Sequence, residues 1–96
     1  MITLHRISTR PTTDVPFYSM TPEFELHLKT TYDDTGKRLG VVVTESVDGL
    51  TQTRVGTWID GDTLHGTLYD DACLAQLTEM HAYNAVNNIT LVETTE

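Results

Sequence analysis

The chain predicts an α+β fold in the order β-α-β-β-α-β, with a four-stranded antiparallel sheet and two helices on one face. Three observations carry this. Short apolar-alternating segments recur at both ends and twice in the middle of the chain. Helix-start signals and four-residue apolar spacing fill the two gaps between them. An Asp-Gly pair separates the two middle strands, as in a hairpin. Residues 1–96 read as a single domain, since a chain of 96 residues has room for one hydrophobic core.

Ile2 to Thr9 forms the first predicted strand, and Pro11 and Pro16 bracket a linker where fixed φ and missing amide protons discourage regular structure. Thr21-Pro22-Glu23 supplies a capping hydroxyl, a proline at the first helical position and an acid at the positive dipole end. Met20, Phe24, Leu28 and Tyr32 then fall four apart and make one stripe. Phe24, Leu26 and Leu28 also alternate, so a strand turning at Asp34-Thr35-Gly36 competes with the helix. The cap and the stripe agree with each other, which favours helix.

Leu39–Glu45 and Thr51–Ile59 are the second and third strands, joined through Val47-Asp48-Gly49-Leu50. An Asp-Gly turn with positive φ at both central residues is expected there. Thr63 to Tyr69 is open between a short helix and a further strand. Asp70-Asp71 begin a longer helix with Cys73, Leu77, Met80 and Asn84 on one side, and Asn87-Asn88 make a left-handed stop. Ile89–Glu93 is the last strand. This order is the split βαβ, or ferredoxin-like, arrangement.

Composition narrows the function. Fourteen Asp and Glu against six Lys and Arg give a formal charge of −8, a surface that repels a phosphate backbone, so direct nucleic-acid binding is not expected. The same acidity leaves a nucleic-acid-mimicking inhibitor as one alternative. The one cysteine, Cys73, forms no intramolecular disulfide and sits in an apolar setting that suits a buried thiol. No apolar run reaches membrane-spanning length and the first residues lack a signal-peptide pattern, so a cytoplasmic location, or a virion, is expected. Threonine occurs 18 times, which suits strands with a wet outer face.

The middle strands carry apolar bulk on both faces. Val41 and Val43 point one way and Val42 the other; Val55, Thr57 and Ile59 share one side of the third strand and Arg54, Gly56 and Trp58 the other. An antiparallel sheet with apolar residues on both faces calls for cover on both, so a homodimer pairing through its sheets is expected, with Val41, Val43, Trp58 and Ile59 as interface candidates.

The segment Ser46-Val47-Asp48-Gly49-Leu50-Thr51 through Trp58, with Asp70-Asp71, Tyr83 and Asn88-Ile89, resembles the dimeric α+β-barrel proteins, which include antibiotic-biosynthesis-monooxygenase-like domains. Tyr32-Asp33-Asp34-Thr35-Gly36-Lys37 followed by the Asp-Gly-Leu-Thr hairpin is also similar to small proteins encoded by tailed phages. These short motifs span nearly the whole chain and are mostly structural. The resemblance implies a homodimer and a cavity between sheet and helices, not an activity.

Candidate chemistry is sparse. His5, His27, His65 and His81 lie on different predicted elements without metal-ligand spacing; His27 and His81 are the pair that could meet across the helix layer, and no metal is expected. Asp60-Gly61-Asp62 lacks the rest of a calcium loop and reads as a turn. No nucleophile elbow, dinucleotide fingerprint or phosphate loop is present, and no cofactor is expected. For a small-molecule site the candidates are Trp58, His5, Tyr83 and Asn84, because cofactor-free oxygenases of the resembled fold hold an oxidisable substrate with an aromatic, an amide and a basic residue. The leading expectation is a non-enzymatic structural or accessory protein, with a tailed-phage particle as its most specific form. It expects a filled core, whereas an oxygenase-like or ligand-binding domain expects an open cavity beside Trp58.

Overall fold

A computed structural model describes residues 1–96. The strands are β1 (Ile2–Thr9), β2 (Arg38–Glu45), β3 (Thr51–Trp58) and β4 (Thr90–Thr95); the helices are α1 (Pro22–Leu28), α2 (Gly61–Leu68) and α3 (Asp71–Val86). All pairings are antiparallel, in the order β2-β3-β1-β4. That is the ferredoxin-like sheet, with three helices where the sequence had given two.

The additional helix is α2, which resolves the segment left open between helix and strand. The Asp60 carboxylate accepts from the Thr63 amide at 2.8 Å, so the acid that resembled a calcium ligand is a helix cap. Leu64 and Thr67 face inward from it.

In α1 the Thr21 hydroxyl accepts from the Phe24 amide, as the cap predicted, and the rival strand is ruled out. The helix continues into a π-helical turn over Lys29–Asp33. Thr30 and Thr35 hydroxyls bond back to the Leu26 and Thr31 carbonyls. Leu28 and Tyr32 are buried, with Met20 and Phe24 packed against them, so the four-residue stripe is the buried face.

The β2–β3 turn departs from expectation. Gly49 has φ of 73°, while Asp48 stays at negative φ. The Asp48 carboxylate accepts from the Leu50 amide and the Ser46 hydroxyl, and Gly49 donates to the Ser46 carbonyl. These side-chain bonds stabilise a longer loop in which only one residue is left-handed. At the end of α3, Asn88 takes φ of 56° and Ile89 donates back to the Asn84 carbonyl, the predicted left-handed stop.

Alternation along the paired strands sorts the sheet into two faces. Leu4, Arg6, Arg54, Gly56 and Trp58 lie beneath the helices. His5, Ile7, Thr53, Val55 and Thr57 lie on the open face with Val42 and Val92, and the cross-strand threonines explain the Thr-rich composition. A bulge at Leu39 turns Arg38 and Val41, three residues apart, toward the same helix-covered side. No helix is long and apolar enough to cross a membrane.

The core is small. Leu4, Trp58 and Leu64 form one buried cluster; Leu28, Tyr32 and Cys73 form another. The space between them is the cavity.

Candidate functional site

The cavity between sheet and helices has a volume of about 100 Å³. Apolar side chains from every layer line it, among them Phe17, Phe24, Leu28, Trp58 and Met80. Polar groups interrupt that lining: Arg6 and Arg54 from the sheet, Gln76 and Asn84 from α3, and Tyr18 from the linker. An apolar lining with a few convergent polar groups is the usual make-up of a small-molecule site.

Trp58 is buried, and its Nε1–H donates to the Thr67 hydroxyl at 3.1 Å. That bond fixes one edge of the indole against α2, while the ring leans back over Gly56. Gln76 and Asn84 are also buried and stand two helical turns apart on α3. The Gln76 amide donates to Tyr18 Oη, and Tyr18 Oη reaches Glu79 at 3.3 Å. Tyr83 Oη donates to the Pro16 carbonyl at 2.5 Å, and the Tyr18 and Tyr83 rings lie 5.6 Å apart. At the other end, Arg10 donates to the Gly49 and Val15 carbonyls and stacks on Phe17. The linker is thereby strapped across the cavity at both ends.

Of the four candidate ligand residues, the structure brings together Trp58 and Asn84. Tyr83 lies outside the lining and holds the linker. His5 is on the open face of the sheet, where its Nε2 is 3.1 Å from the Thr3 hydroxyl and 3.6 Å from Glu96. Of the interface candidates, Val41 and Trp58 line the cavity, Val43 shares their face but is exposed, and exposed Ile59 follows β3, its amide bonded to the Lys37 carbonyl. The residues that sequence reasoning passed over are Arg6, Arg54, Gln76 and Tyr18. The signal was present for the arginines: both occupy positions of their strands that face the helices.

The cation arrangement is asymmetric. Arg38 is held bidentate by Asp33 at 2.6 and 2.9 Å, and this pairing keeps the Asp33 carboxyl below its ordinary range. Arg6 has Glu93 at 3.5 Å, but its buried Nε makes no hydrogen bond. No carboxylate pairs with Arg54, whose Nη2 is 3.9 Å from Met20 Sδ. Burial lowers the Arg54 pKa, with Arg38 and Arg6 adding to the effect and Glu25 opposing it.

A second cluster lies outside this lining except for Cys73. His27 Nε2 is 2.9 Å from Asp70 Oδ2, Tyr32 Oη donates to the same oxygen at 2.5 Å, and Cys73 Sγ completes a group of metal-ligating atoms within 4.8 Å. Asp70 Oδ1 caps α3 through the Ala72 and Cys73 amides. Oδ2 thus ties α1 and the π-helical turn after it to the start of α3, while Oδ1 is used within α3 itself. His27 meets Asp70 rather than His81, which is exposed.

No protein-family model and no curated protein matches the chain. Among solved structures, it is similar to a crystal structure of a Deinococcus radiodurans protein provisionally described as an antibiotic biosynthesis monooxygenase. The TM-score is 0.60 at 15% identity, and the match covers 100% of this chain and 90% of that one. The likeness establishes the ferredoxin-like fold with its four-stranded sheet.

Proposed function

We propose that this protein binds a small, largely apolar organic molecule in the cavity between sheet and helices, in the manner of an oxygenase-like α+β-barrel protein. The observation that supports it is the cavity itself, beside Trp58, with the Asn84 amide and the Arg54 guanidinium in the same lining. A structural protein would be expected to fill that space, because an apolar void forfeits dispersion contacts along its walls. The fold likeness is consistent with the reading, and the comparisons give no support to a phage-particle role.

We also propose that two copies pair through the open sheet face. Val42 and Val92 are 62% and 56% exposed there, beside half-buried Ile7 and Val55, and only 11 of 96 residues are buried. A second sheet would give this thin core the cover its helices do not provide.

The test uses the Trp58 indole as reporter. Titration of the full chain with small planar aromatics, hydroquinones included, is expected to move the Trp58 Nε1–H resonance saturably, and oxygen uptake with a bound hydroquinone would identify turnover. A panel that leaves the resonance unmoved would overturn the binding reading.

A further inference from the structure

Arg6 and Arg54 are direct cross-strand partners in the β1–β3 ladder, on the face covered by the helices. Like charges directly opposite one another in a sheet are destabilising, the more so where water is displaced. The next strand offers one compensating group, because Glu93 is the β4 partner of Arg6. The row Glu93, Arg6, Arg54 therefore holds one negative and two positive charges. Arg38, whose charge is matched by Asp33 through Nε and Nη2, adds nothing to the balance. Exposed Glu25 acts on Arg54 without forming an ion pair with it, so within the row one positive charge remains. The buried Arg6 Nε, although 3.5 Å from Glu93, makes no hydrogen bond.

We propose that Arg6 and Arg54 together bind the carboxylate of a small organic acid whose apolar body occupies the cavity. This inference rests on the ligand-binding reading above and gives it a substrate class. A single carboxylate matches the one excess charge, whereas a phosphate dianion would leave the row net negative. Guanidinium forks suit the planar carboxylate, and charge-assisted hydrogen bonds of this kind are among the strong ones. The overall charge of −8 makes a cationic cavity lining the more informative, since the surface composition does not explain it.

The experiment compares benzoate with benzamide, its neutral counterpart of nearly equal shape, on the full chain, following the Trp58 indole resonance. Benzoate is expected to bind roughly tenfold tighter or more, the usual range for a hydrogen bond to a charged group. In Arg54→Gln that preference should fall to within about twofold while benzamide binding persists, and Arg54→Lys should retain part of it. Equal affinity in the wild-type chain, or a preference that survives Arg54→Gln, would overturn the carboxylate site and leave the cavity reading standing. Failure of both compounds to bind would overturn both. The wild-type comparison decides the matter even if a variant folds poorly.

Discussion

The indole of Trp58 lies against Gly56, two residues earlier on the same face of β3, so closely that a methyl group there would sit 2.5 Å from Cζ3. The glycine is what lets the ring fold back along its own strand while Nε1 reaches Thr67. Gly56→Ala is expected to expel the ring and cost about 1–3 kcal/mol, the range for overpacking a core. Trp58→Ala should cost about 3–5 kcal/mol. Denaturant titrations followed by circular dichroism measure both; an unchanged midpoint for Gly56→Ala would mean the ring is free to move.

Thr67→Val tests the other end of that ring. It keeps the shape but leaves the buried indole N–H without an acceptor, which should cost about 1–3 kcal/mol. A neutral substitution would show that the N–H finds another partner.

Asp70 links pH to stability. Its carboxyl is held at about 2, against an ordinary 3.8, chiefly by the Tyr32 hydroxyl, with His27 and the Ala72 amide assisting against the opposing effect of burial. The folded state thus favours the charged form. The stability this contributes is complete above about pH 4 and disappears as the pH falls through about 2. Asp70→Asn should flatten the decline over that window, and Asp70→Ala should also lose the α3 cap, about 0.5–2 kcal/mol. Stability curves from pH 6 to pH 2 distinguish them; superimposable curves for wild type and Asp70→Asn would remove Asp70 from the acid response.

The Cys73 thiol is pushed up to about 11, first by burial and then by the nearby Asp70 charge. At pH 8 its thiolate population is expected to be roughly a hundredfold below that of an ordinary cysteine. Alkylation by iodoacetamide should accordingly be much slower in the native protein than in denaturant. Equal rates would show that the helix pair opens readily.

For the proposed pairing, light scattering over a wide concentration range should return twice the 10.7 kDa chain mass. Val55→Asp, placing a charge at the centre of the open face, should reduce it to the chain mass with the fold intact. A wild-type monomer at every concentration refutes the pairing.

The sequence by itself determined the elements whose signals are local. The Thr21 cap, the Asp70-Asp71 start of α3, the Asn88 stop and the strand alternation each depend on neighbours within a few residues, so their spacing was readable. The Asp-Gly hairpin was readable in position but not in turn type, because Asp48 and Ser46 side chains decide which loop is stable. Segment 63–69 was undecided until the Asp60 cap and the inward packing of Leu64 and Thr67 made it a helix. Only tertiary structure decided the candidate site. His5 and Trp58 were plausible companions by residue type, yet alternation and strand pairing put them on opposite faces of the sheet. Arg6 and Arg54 stand 48 positions apart, and it is the β1–β3 register that sets them side by side. Their meaning as a pair comes from burial and unmatched charge, which exist only once the helices and the strapped linker close over the sheet.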